Sequence, residues 1–230
     1  MTVRVIAIDG PAASGKSSTG ALVAKRLGWA HLDSGALYRA LTLAALDHLD
    51  EPGTDGWPAQ RILGLADELP VRLVLVGDTF RPEVAGVDVD EAIRDDRVTR
   101  RVSQLAAIPE VRVWVNGQQR RLVAEHPAGV VVDGRDIGTV VFPDAPLKIY
   151  LTATPDERAR RRLSQQGRAL DDERVQRESQ ALAARDTADA SRPVAPLKPA
   201  PDAVPIDSTH LTLEAQVARI VALARQRFPG

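Results

Sequence analysis

Eight residues near the start of the chain, Gly10-Pro11-Ala12-Ala13-Ser14-Gly15-Lys16-Ser17, have the types and spacing needed to grip a row of phosphates. Glycines at the first and sixth positions let the backbone curl until several N–H groups point inward, forming an anion-binding concavity. A helix opening at the end of such a loop adds its positive terminus. Lys16 then reaches the β and γ phosphates, and the Ser17 hydroxyl is a ligand for Mg²⁺. Gly10 through Ser18, including Pro11, Ala12, Ala13, Ser14 and Gly15, is therefore the candidate ATP-binding segment, a P-loop. The pattern specifies a nucleotide but no reaction. A GTPase needs an Asn-Lys-x-Asp base reader, yet the sole asparagine is Asn116, followed by Gly117. Many ATPase motors place a glutamate after the aspartate that ends a core strand, whereas Asp133 is followed by Gly134. Hydrolysis and motor readings lose ground.

Arginine placement points to phosphoryl transfer, which must neutralise two polyanions while keeping them in line. Arg39 lies one turn into a helix opened by Asp33-Ser34-Gly35. Arg135 and Asp136 follow a strand-like run, at the carboxyl edge where open α/β sheets bind ligands. Arg158, Arg161 and Arg162 fall at i, i+3, i+4 and share a helix face, although a solvated charged face has the same spacing. Arg185, Asp189 and Arg192 repeat the theme at i, i+4, i+7 in a helix ended by Pro193, and an ion-pair ladder along the helix accounts for that triplet equally well.

The elements that must position these groups alternate. Residues 3–8 read as a buried strand and Ser17 to Leu27 as a helix stopped by Gly28. Residues 30–33 form a short strand and Leu37 to Leu49 a helix. Gly129 to Asp133, Leu147 to Leu151 and Ala203 to Asp207 are further buried strands, and Leu213 to Phe228 is a closing amphipathic helix. This order predicts an α/β fold, a doubly wound parallel sheet of five strands. Val71 to Val76, Phe80 to Val84 and Val87 to Val89 break the rhythm as β-like pieces parted by Gly77-Asp78 and Gly86. They predict a small antiparallel insert, followed by helices from about Asp90 to Ala107.

At 230 residues with 44% hydrophobic and 27% charged residues, the chain suits one globular core with a small insertion. A net charge of −1 supplies no field for nucleic acid or anionic membranes. The absence of cysteine rules out disulfides and thiolate metal sites. His31, His48, His126 and His210 lack zinc-ligand spacing and read as exposed or internally satisfied. With no secretory-type N-terminus and no apolar run long enough for a bilayer, the expected location is the cytoplasm. No long apolar helix face is evident, so a monomer is expected.

These motifs together resemble bacterial-type cytidylate kinase, a branch of the nucleoside monophosphate kinases. The likeness runs from Val3 to Phe228 and is carried by Ile8–Ser17, Leu32–Arg39, Asp133–Pro143 and Arg192–Leu197. The resemblance implies transfer of the γ-phosphoryl of ATP to CMP or dCMP, with Mg²⁺. It implies that Ser103, Arg112 and Asp136 contact cytosine, and that Ser34, Arg39, Arg135, Arg185, Asp189 and Arg192 surround the acceptor's ribose and phosphate. Arg158 and Arg161 would come from a short lid, with Lys16 and Arg135 completing the catalytic set. Asp133 or Asp33 would assist Ser17 at Mg²⁺ through water. The implied organisation is a single kinase domain: core 1–64, 106–155 and 171–230, acceptor-binding insert 65–105, lid 156–170. Rival readings are a P-loop kinase for uridylate, adenylate or shikimate, and a module that binds nucleotide without transferring phosphate.

Overall fold

The computed structural model describes residues 4–50, 52 and 56–229. The chain runs through β1 (Val5–Asp9), α1 (Lys16–Leu27), β2 (Ala30–Asp33), α2 (Ser34–His48) and α3 (Ala59–Glu68). Then follow β3 (Val71–Val76), β4 (Thr79–Val84), β5 (Val87–Asp88), α4 (Asp96–Leu105) and α5 (Pro109–Glu125). The remainder comprises β6 (Val130–Gly134), β7 (Leu147–Thr152), α6 (Pro155–Gln165), α7 (Asp172–Ala190), β8 (Val204–Asp207) and α8 (Leu213–Arg227). Among the described residues, those up to His31 and from Ala128 onward form one compact unit, and those from Leu32 to Pro127 form another.

The first unit is α/β with a mostly parallel sheet in the order β6-β1-β7-β8, and β2 starts beside β6 through Ala30 N–H donating to Gly129 O at 3.1 Å. β1 pairs in parallel with both neighbours, Asp9 standing level with Gly134 on one side and Tyr150 on the other. The carboxyl ends of three strands thus line up behind the phosphate loop. All five residues of β1 are buried, as expected of a central parallel strand covered on both faces. Ile6, Ile8, Val131, Ile149 and Leu151 join Val23 of α1 and Val217, Ile220 and Val221 of α8 in one core. Each such side chain contributes roughly 1.5–3 kcal/mol by burial. A smaller core, Ala12 with Ala159, Leu163, Val175 and Leu182, seats the phosphate loop against α6 and α7. The strand expected from Val3 is observed from Val5, with Arg4 O accepting from Val130 N–H. Val3 lies outside the described residues.

In the second unit, α2 buries ten of its residues and packs with α3, α4, β3 and β4. β3, β4 and β5 form the antiparallel piece that the sequence predicted, in register Val76↔Thr79 and Val84↔Val87. Its turns are Gly77-Asp78 and Ala85-Gly86, the latter with positive φ at both residues, as a tight primed hairpin turn requires. Helices α3 and α5 are not among the elements that the sequence pattern predicts. α5 buries Arg112, Asn116 and Gln119 among its valines, so polar residues interrupt its apolar period.

Candidate active site

The phosphate loop is built by backbone conformation. Gly10, Ala13 and Gly15 all have positive φ, at 153°, 58° and 90°, an alternation that turns successive amides toward one concavity. Gly10 is also sterically required, because a Cβ there would lie 2.0 Å from Leu151 O. Lys16 opens α1 and is buried. Its Nζ folds back along the loop, donating to Pro11 O at 2.6 Å and Ser14 Oγ at 3.2 Å. A buried ammonium on the loop beside inward amides is a site for polyanion oxygens.

Ser17 donates its hydroxyl to Asp133 Oδ2 at 2.8 Å, and His31 Nε2 lies 2.8 Å from Asp133 Oδ1. Burial would raise the Asp133 pKa, but the His31 contact, the Lys16 charge and the Ser17 hydroxyl outweigh it and hold the carboxyl below the usual range. A serine oxygen beside an ionised carboxylate is a hard-donor pair suited to Mg²⁺. Of the two carboxylates expected to serve that ion, Asp133 is beside Ser17. Asp33 instead caps α2, accepting from Gly35 N–H at 2.9 Å. His31 is buried and paired with Asp133.

Two groups of arginines in the first unit stand near the loop or gather on one carboxylate. Arg158 on α6 is buried, and its Nη1 donates to Ala12 O at 3.0 Å and to Asp186. Arg161 ties Glu157 to Ser208 and reaches Ser14 O at 3.5 Å. Arg162, on the same face by spacing, pairs instead with Glu178 of α7. The second group centres on Asp189, whose buried carboxylate takes Arg135 Nε at 3.1 Å and Arg192 Nη2 at 2.6 Å. The i, i+4, i+7 spacing predicts Arg192 on the same helix, but α7 ends at Ala190, so Arg192 lies past the helix and bends back to Asp189. Arg185 lies on α7 four residues before Asp189, one turn away.

Arg135 and Asp136 lead into a wide turn of π-helical geometry, Ile137–Val141, which no local residue pattern predicts. Asp9, at the end of β1, accepts the Ile137 and Gly138 N–H groups at 2.8 and 2.7 Å. Burial pushes the Asp9 carboxyl up from 3.8 to about 6, against the two amides that favour its charge, and the nearby Asp136 adds to the rise. Asp9 was not singled out from sequence. Its one local signal is its position immediately before Gly10.

Ser34, Arg39, Ser103 and Arg112 belong to the second unit. Arg39 donates to Ile93 O and Thr99 Oγ1, both at 3.1 Å, and so joins α2 to α4. Ser103 follows Thr99 by one turn on α4. Arg112 is buried with its Cζ 5.6 Å from the centre of the Tyr38 ring, a cation–π contact, and donates to Ala106 O at 3.1 Å. Gln119 donates to Ser34 O at 3.1 Å. Asn116 Oδ1 and Gln119 Oε1 are buried with no hydrogen-bond partner among the described residues.

The cytidylate kinase family model matches residues 6–226. The chain belongs to the cytidylate kinase family. It is 46% identical over 226 residues to a cytidylate kinase of Azotobacter vinelandii, covering 96% of each chain. A cytidylate kinase of Stutzerimonas stutzeri is 45% identical over 227 residues, covering 98% of this chain and 96% of its own. One from Pseudomonas syringae pv. tomato is 46% identical over 220 residues, covering 95% and 93%. For a member of this family, a P-loop with a buried lysine and a dense arginine complement is the machinery of a nucleotide-dependent kinase.

Proposed function

We propose that the chain transfers the γ-phosphoryl group of ATP to the phosphate of CMP, and also of dCMP, giving ADP with CDP or dCDP. The observation that carries this reading is the pairing of the Gly10–Ser17 loop and its buried Lys16 with the arginine cluster gathered on Asp189. ATP places its triphosphate in the loop, with Lys16 at the β and γ oxygens. The acceptor phosphate is already largely ionised near neutral pH, so no strong general base is needed. One of its oxygens forms the new P–O bond in line as the bond to the β-phosphate oxygen breaks and ADP departs. The chain's part is positioning and charge neutralisation by Lys16, Arg135, Arg158 and Arg161. Ser17 and Asp133 would hold Mg²⁺, which supplies positive charge against the phosphate oxygens.

On the acceptor side, Ser34, Arg39, Arg185, Asp189 and Arg192 would hold ribose and phosphate, and Ser103, Arg112 and Asp136 the base. Cytosine presents acceptors at O2 and N3 and a donor at N4, which arginine and aspartate complement. Uracil inverts that pattern at N3 and position 4 and leaves mismatched polar groups. In this reading residues 65–105 are an acceptor-binding insert and 156–170 a lid that excludes water, and the enzyme is a cytoplasmic monomer. No helix among the described residues is long and apolar enough to cross a membrane.

The test is ADP formation with CMP, dCMP, UMP, AMP and shikimate offered singly. The reading predicts rapid turnover with CMP and dCMP and slow turnover with the others. A preference for a non-cytosine acceptor overturns the assignment of Ser103, Arg112 and Asp136, and ATP binding with no acceptor-dependent ADP overturns the kinase reaction itself.

A further inference from the structure

Asp186 lies on α7 between Arg185 and Asp189, yet its carboxylate engages the phosphate loop. Its Oδ1 accepts the Ala12 N–H at 3.1 Å, and its Oδ2 takes Arg158 Nη1 at 2.5 Å. The same Nη1 donates to Ala12 O at 3.0 Å. Both hydrogen-bonding groups of one loop residue are therefore held by a single carboxylate–guanidinium pair. The pair is sheltered, with side-chain exposures of 6% for Arg158 and 18% for Asp186. Charge-assisted bonds at such a site are stronger and geometrically tighter than exposed ones.

Ala12 is a sensitive place for this clamp. It follows Pro11, whose carbonyl anchors Lys16 Nζ, and precedes Ala13, which is held at positive φ. Its methyl is packed into the small core between α6 and α7. A shift of Ala12 would therefore move the lysine's anchor and the left-handed turn together. An uncompensated carboxylate on this loop would repel a triphosphate, and Arg158 neutralises it. Arg158 Nε is buried with no hydrogen-bond partner among the described residues, so the guanidinium retains donor capacity.

We infer that Asp186 is a positioning residue for phosphoryl transfer: one oxygen fixes the curvature of the phosphate loop at Ala12, and the other fixes the orientation of Arg158. The inference rests on the proposed role of Arg158 at the transferring phosphoryl. A guanidinium there must be held in place before the reaction to stabilise the transition state, and a displacement of about 1 Å can cost on the order of 100-fold in rate.

Two variants separate the two oxygens. In Asp186→Asn the amide oxygen still accepts the Ala12 N–H, but the amide NH₂ faces the Arg158 donor. The expected result is a fall in kcat of roughly 10- to 100-fold with KM for ATP and CMP within about twofold of wild type. In Asp186→Ala, KM for ATP rises as well. Should the alanine variant fail to fold, the asparagine variant and a double-mutant cycle with Arg158→Met carry the test. The double variant Asp186→Asn, Arg158→Met should be no slower than Arg158→Met alone, because Asp186 acts through Arg158. Unchanged kcat in Asp186→Asn, a change confined to KM, or losses that multiply in the double variant each overturn the inference. Normal kcat in Arg158→Met overturns the role of Arg158, and the inference with it, whereas an impaired Arg158→Met beside a normal Asp186→Asn overturns the inference alone.

Discussion

The loop between β1 and α1 and the polar face shared by α2, α4 and α5 both gather polar groups, by opposite means. The loop builds its concavity from backbone: three positive-φ residues, a glycine pressed against Leu151 O, and a helix opening at Lys16. The helical face uses side chains carried far apart in sequence, with Arg39 reaching Thr99 and Gln119 reaching Ser34 O. Backbone-built sites need particular residue types at fixed spacing, because only those adopt the required φ and approach. Side-chain sites need only that packing bring the right atoms together, and they leave little local trace. Substitutions in the loop should therefore affect any nucleotide-dependent step, and those on the helical face should affect one acceptor.

The largest effect is expected at Lys16. Lys16→Ala removes a buried charge from the phosphate loop, and steady-state turnover should fall about a thousandfold whichever acceptor is supplied. Loss with CMP alone would break the division between the two regions. Next is Gly10→Ala, whose Cβ would meet Leu151 O at 2.0 Å. Denaturant unfolding should show a loss of about 3 kcal/mol, accompanied by a raised KM for ATP.

Asp9 gives a pH test in the same unit. Its carboxyl rises from 3.8 to about 6 on folding, so the fold favours the protonated form. That contribution is complete below about pH 4 and is lost as pH rises through about 6. Between about pH 4 and 8, the wild type should lose on the order of 3 kcal/mol relative to Asp9→Asn by thermal unfolding. A difference that stays flat with pH contradicts the burial of an ionised Asp9. The smallest and most selective effect is at Arg112. Arg112→Met should lower kcat/KM for CMP roughly tenfold to a hundredfold while KM for ATP stays within twofold, and equal losses for both substrates would erase the contrast.

The same contrast decides what could be read in advance. β1, the loop and α1 were legible because glycine, lysine and β-branched residues occupy fixed offsets. The β3–β5 piece was legible through Gly77-Asp78 and Gly86. α5 was not, since Arg112, Asn116 and Gln119 are buried where an amphipathic helix would show apolar residues. The turn over Ile137–Val141 has no local signal and is held by Asp9, 128 residues upstream of Ile137. Arg192 fits the spacing of a helix that stops two residues earlier. Asp186 has no motif, and its importance depends on the distant Ala12 and Arg158 coming to it. Ser103 and Arg112 could be singled out only through the family resemblance.

Crystals grown with a non-hydrolysable ATP analogue and CMP put both substrates on one molecule. The triphosphate should lie within hydrogen-bonding distance of the Gly10–Ser17 amides and Lys16, and the cytosine ring against Ser103, Arg112 and Asp136. A loop that leaves the triphosphate elsewhere, or a pyrimidine bound away from those three residues, contradicts this placement.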